Sequence, residues 1–102
     1  MTVQPSHLDI GSGDERTLML VGVVDSHTAP KLQDQLDSLG IDDDISLDVT
    51  GVEFIDSSGL RVIVAAHTAL DAVGNALVLV GSSDPVDRLL EITGLAEHLR
   101  RE

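Results

Sequence analysis

The hydrophobic period of this chain switches repeatedly along its length, and that alternation limits the available folds more than any single residue does. RTLMLVGVV, Arg16 to Val24, is a nearly continuous run of β-favouring aliphatics. It is more continuous than a strand with one face in water requires, so it reads as a central strand. The period then changes. In DSHTAPKLQDQLDSLG, Ala29, Leu32, Leu36 and Leu39 recur at helical spacing, Ser26 or Thr28 is placed to cap, Pro30 suits a first turn and Gly40 an end. ISLDVTGVEF alternates again, with Ile45, Leu47 and Val49 on one side and Ser46, Asp48 and Thr50 on the other. A second helix is expected from Ser58 to Val73 on the stripe Leu60, Ile63, Val64, His67 and Leu70, ended by Gly74. ALVLVG is a further buried strand, and Pro85 to Thr93 a third helix that turns Val86, Leu89 and Leu90 inward and closes at Gly94. Ahead of all these, His7 to Ile10 forms a short strand, GSGDE a turn whose glycines supply positive φ, and Met1 to Ser6 a loose end without periodicity. Strands alternate with helices after an initial pair of strands. The fold class is therefore α/β, with a mixed sheet and short connections. The chain has 102 residues and shows no repeat or linker, so residues 1–102 are expected to be one domain.

Composition removes several functions. Phe54 is the only aromatic residue, so the core is built from Leu, Val, Ile and Ala and offers no platform for stacking bases. Eighteen acidic residues against six Lys and Arg give a net charge of -12. Such a charge opposes phosphate backbones and anionic membrane surfaces, and neither nucleic acid nor membrane is expected as a partner. The apolar runs fall well short of the roughly 20 residues that a spanning helix needs, and the N-terminus lacks the basic start of a signal peptide. A cytoplasmic protein is expected. The chain has no cysteine, which excludes a disulfide framework, a thiol nucleophile and a thiolate metal site.

The chemistry concentrates in FIDSSGLRVIVAAH, residues 54 to 67. Asp56, Ser57 and Ser58 lie where a strand turns into a helix N-terminus, whose first N–H groups lack internal partners. Two readings of the serines follow: one of them is an N-cap and the other a small turn residue, or an exposed hydroxyl there is a switchable site that phosphorylation would charge. Asp56 holds the turn by accepting N–H bonds or orients the serine, and Asp25 stands where a cap is useful, after a strand and before a helix. Gly59 leaves room beside the acceptor for a kinase surface to approach. A Ser-His-Asp hydrolase would need Ser57 and His67 in contact, yet ten residues of helix put them about 15 Å apart. His7, His27 and His98 are scattered singly, Asp42 to Asp44 lack the alternating ligands of a calcium loop, and the glycines form no nucleotide cradle. No catalytic residue, metal or cofactor is expected.

GVVDSHTAPKL, VEFIDSSGLRVIV and VDRLLEITGL, in this order and spacing, resemble the STAS domain, and within it the bacterial anti-sigma factor antagonists. The resemblance runs from about Leu8 to Leu99. It implies a mixed sheet of four to five strands packed with about four helices. It also implies a binding switch: the unphosphorylated domain captures an anti-sigma factor with serine-kinase activity and frees a sigma factor, phosphorylation ends the complex, and a phosphatase resets it. The family's acceptor corresponds to Ser57, with Ser58 as the alternative, and Asp25 to an acidic position beside the phosphorylation loop. Partner binding then involves Asp25, Asp56, Ser57, Ser58, Gly59 and Arg61, centred on Ser57, Ser58, Gly59 and Arg61 with Asp25 and the start of the first helix at the rim, in a domain expected to be a monomer. Arg61 departs from the family pattern, where some members carry a small residue; a long cation there selects the partner or contacts the phosphate. The competing expectation within the same fold is a STAS scaffold subunit of a stress-signalling or lipid-transport complex, with no phosphorylation cycle.

Overall fold

The computed structural model describes residues 6–14 and 16–102. Of the expected loose end only Ser6 is described, and Glu15 of the GSGDE turn also lies outside the described residues. The elements are β1 (Leu8–Ser12), β2 (Thr17–Val24), α1 (Ala29–Leu39), β3 (Ile45–Ile55), α2 (Ser57–Asp71), β4 (Leu77–Val80), α3 (Asp84–Thr93), a 3₁₀ turn (Leu95–Glu97) and β5 (Arg100–Arg101). The strands form one sheet in the order β1-β2-β3-β4-β5. β1 runs antiparallel to β2, and every later pair is parallel, each joined through a helical segment. The α/β class and the mixed sheet are as expected; the described residues hold three α-helices, with the 3₁₀ turn as the fourth helical segment.

One buried cluster joins Leu18, Leu20 and Val24 of β2, Ile45, Leu47 and Val49 of β3, and Leu77 and Leu79 of β4 to Leu32 and Leu36 of α1, Ile63 and Leu70 of α2, and Leu90 of α3. Most residues of the helical and alternating stripes of the sequence are in this cluster, while Leu39, Val64, His67 and Leu89 are half-buried. The continuous apolar run of β2 misleads, however. Its burial alternates, and Met19 and Val21 are 40% and 49% exposed on the other face of the sheet. Apolar side chains on an accessible face are ordinary in folded proteins, so continuity alone does not establish two-sided burial. β2 is the second strand of the sheet, and β3 occupies the middle.

Local chemistry differs from expectation at three other points. Thr28 occupies the N-cap position of α1 but does not cap it. Its hydroxyl donates to Val23 O at 2.7 Å and accepts from Asp25 N at 3.0 Å, tying the helix start to the end of β2. In the β1–β2 turn, the positive φ, 41°, belongs to Arg16 and to neither Gly11 nor Gly13. Arg16 then closes the opposite end of α1: its guanidinium donates to the carbonyls of Leu39 at 2.6 Å, Gly40 at 2.8 Å, Asp43 at 2.9 Å and Asp44 at 3.0 Å. The first two are orphan acceptors at a helix C-terminus, where a cation is favoured, and the other two belong to the turn before β3. β5 is too short to carry a hydrophobic pattern; it is held by pairing with β4 and by the 2.7 Å bridge from Arg101 to Asp87 on α3.

The β2–β3 register places the functional residues. Thr17 pairs with Ser46, Val21 with Gly51 and Val24 with Ile55, so β3 takes in an extra residue at each of two irregularities. At Gly51 a Cβ would stand 2.8 Å from Leu20 O, which is why the strand can cross so closely there. The two strands consequently end level.

Candidate functional site

Because Val24 and Ile55 pair in parallel, Asp25 and Asp56 leave the sheet side by side at its carboxyl edge. Asp56 N donates to Val24 O at 3.1 Å and fixes that alignment. Asp56 is extended, with φ -117° and ψ -172°, and its Oδ1 accepts from Ser58 N at 2.8 Å and Gly59 N at 3.2 Å. The cap of α2 is this carboxylate. A serine N-cap, one of the two readings of the pair, is therefore replaced: Asp56 satisfies the first N–H groups, Ser57 opens the helix and is exposed, and Ser58 is half-buried behind it. A short carboxylate is as good a cap as a hydroxyl, so composition alone could not choose between them.

Asp25 is held in a comparable way. Its Oδ1 accepts from His27 N at 2.9 Å and Thr28 N at 3.1 Å, and the Ser6 hydroxyl donates to Oδ2. The Ser6 hydrogen bond, followed by those N–H groups, holds the carboxyl below its ordinary value of 3.8 against an opposing desolvation. Ser6 carried no sequence signal, since the residues around it show no period. The chain enters β1 here: Val23 N donates to His7 O at 2.9 Å, so Ser6 and His7 lie against the end of β2.

Gly59 has a different role from the one its position suggested. It is buried, and a Cβ on it would stand 2.5 Å from Val24 Cγ1, 2.8 Å from Val24 O and 3.1 Å from Ile55 Cγ1. The missing side chain lets α2 rest on the ends of β2 and β3; it opens the interior face of the helix, and no outer surface. Arg61, about one turn on from Ser57, is exposed. His67 is partly buried, with Nδ1 lacking a hydrogen-bond partner. It lies on the same helix as Ser57, ten residues along, which corresponds to about 15 Å of axial rise. Among the described residues no group of three or more His, Asp or Glu is placed to hold a metal ion. On the far side of the junction, Phe54 and Ile55 form a groove of about 270 Å³ with Pro85, Arg88, Leu89 and Ile92 of α3.

The junction thus sets an acidic pair at the carboxyl edge of a mixed sheet, beside a capped Ser-Ser-Gly turn that leads into a helix, in a chain whose sequence resembles the STAS domain. The model of that family matches residues 9–101, and the chain belongs to the STAS domain family. Within the family it is 40% identical over 86 residues to the anti-sigma-B factor antagonist of Listeria monocytogenes, an alignment covering 82% of this chain and 75% of the relative. Among solved structures, an anti-sigma factor antagonist from Mycobacterium paratuberculosis superposes with a TM-score of 0.77 at 22% identity, covering 95% of this chain and 85% of that one. The Bacillus cell fate determinant SpoIIAA in its phosphorylated form superposes with a TM-score of 0.68 at 18% identity, covering 94% and 91%. These two likenesses establish the fold.

Proposed function

We propose that the chain is an anti-sigma factor antagonist: unphosphorylated, it captures an anti-sigma factor that carries serine-kinase activity, and so frees a sigma factor for transcription. Phosphorylation of Ser57 ends the capture and a phosphatase restores it. The protein acts in the cytoplasm as a monomeric binding module and catalyses no reaction of its own. The supporting observation is the division of labour at the junction. Asp56 satisfies the start of α2, which leaves the exposed Ser57 hydroxyl out of the cap. Modifying it therefore costs the fold little, since a phosphate beside a helix N-terminus is electrostatically tolerated. Asp25 and Ser58 form the rim of the same surface, with Asp56 and Gly59 shaping it from within. The 40% identity to an anti-sigma-B factor antagonist supports the choice of partner.

The test is incubation with ATP and the cognate anti-sigma factor, followed by intact mass and peptide mapping. A gain of one phosphate on Ser57, absent in Ser57→Ala and retained in Ser58→Ala, is the expected result. Phosphate on Ser58 would reassign the acceptor. No phosphate at all would favour a scaffold subunit of a stress-signalling or lipid-transport complex.

A further inference from the structure

The sequence leaves two roles open for Arg61, selecting the partner or contacting the phosphate. Along the 15 residues of α2 it is the one Lys or Arg, and Asp71, at the far end, is the one Asp or Glu. Three and four places from Arg61 stand Ser57, Ser58, Val64 and Ala65, so no carboxylate on the helix faces it. Ser57 and Arg61, separated by four residues, share one face with Cβ atoms about 5–6 Å apart. Helical side chains lean toward the N-terminus, which carries the guanidinium back over the first turn, toward Ser57 and away from Asp71. Both residues are exposed. Along its own helix, the one anion Arg61 can meet is an anion placed on Ser57.

From this placement we propose that Arg61 is the intramolecular partner of phosphorylated Ser57, donating two N–H groups to the phosphate and holding it against the first turn of α2. The inference rests on the reading of Ser57 as the acceptor. A planar guanidinium suits two phosphate oxygens better than an ammonium does. Among the described residues beside the junction, the carboxylates of Asp25 and Asp56 repel a phosphate and already accept N–H bonds, His27 stands exposed on the β2–α1 loop next to Asp25, and Asp84 and Arg88 belong to the α3 side of the groove beyond Phe54. Arg61 thereby fixes the phosphate in one position and favours its dianionic form, so that the released state carries a full double charge at neutral pH.

The experiment places phosphoserine at position 57 during translation, which makes it independent of any kinase, and follows the phosphate by ³¹P NMR against pH. With Arg61 present, the second phosphate pKa should fall about 0.2–0.7 pH unit below that of the same protein carrying Arg61→Gln, as expected for an exposed ion pair. Arg61→Lys should recover part of the difference, and high salt should shrink it. Glutamine is a good helix former on an exposed face, so the variant keeps α2 intact. Equal pKa values with Arg and Gln at position 61 would overturn the pairing and leave the acceptor assignment standing. A kinase that phosphorylates a different residue would overturn the assignment without touching this titration.

Discussion

Gly59 shows how a single missing side chain sets the geometry of the junction. Adding one Cβ places it 2.5 Å from Val24 Cγ1 and 2.8 Å from Val24 O. The methyl can rotate; the carbonyl oxygen belongs to the backbone and cannot, so α2 must move off the strands. Gly59→Ala should therefore destabilise the protein by about 1–3 kcal/mol in urea unfolding, despite the better helix propensity of alanine. An unchanged midpoint would return Gly59 to the outer surface. Asp25 supports a second prediction. Its folded-state pKa is lowered, chiefly by Ser6, so its stabilising contribution is present above the unfolded value and is lost as pH falls through the lower folded one. Ser6→Ala should raise the Asp25 pKa toward 3.8 in a carboxyl NMR titration and move acid unfolding to higher pH. The motif was legible from sequence only together with GVVDSHTAPKL and VDRLLEITGL, because a Ser-Ser-Gly turn between a strand pattern and a helix pattern reads equally well as an ordinary cap. The direction each side chain takes was not, because Asp56, Ser57 and Ser58 are all competent caps.

Between elements, the least legible residue is Arg16. In sequence it reads as the first residue of a strand, yet its guanidinium joins the start of β2 to the end of α1 and to the turn before β3 through four carbonyls. No local pattern announces contacts made across 23 to 28 residues. Arg16→Lys keeps the charge and loses the planar fork, so it should cost about 1–3 kcal/mol, nearly as much as Arg16→Ala. Full recovery by lysine would mean that the charge alone matters. β5 escaped for a related reason: Arg100 and Arg101 are placed by pairing with β4 and by Asp87, and a two-residue strand has no period. The long elements were legible because each buries one stripe. Leu32 and Leu36 or Ile63 and Leu70 recur at helical spacing, and Ile45, Leu47 and Val49 alternate.

For the whole molecule, alternation of periods gave the α/β class, while the number of covered sheet faces depended on where the helices pack. Met19 and Val21 look like core residues and face outward. The net charge of -12 was legible without any structure. It should speed encounter with a basic partner surface, so the association rate with the anti-sigma factor should fall steadily from about 0.05 to 0.5 M salt, with a much smaller change in dissociation. A flat association rate would exclude electrostatic steering. The switch at Ser57 is tested most directly by calorimetry with the cognate anti-sigma factor, using unmodified protein and protein carrying one phosphate mapped to Ser57. Desolvating a doubly charged group against a surface shaped for a neutral serine costs about 2–5 kcal/mol. The phosphorylated form should accordingly bind about 30-fold to several-thousand-fold more weakly, with Ser57→Ala matching the unmodified protein. Equal affinity of the two forms would contradict a switch at Ser57.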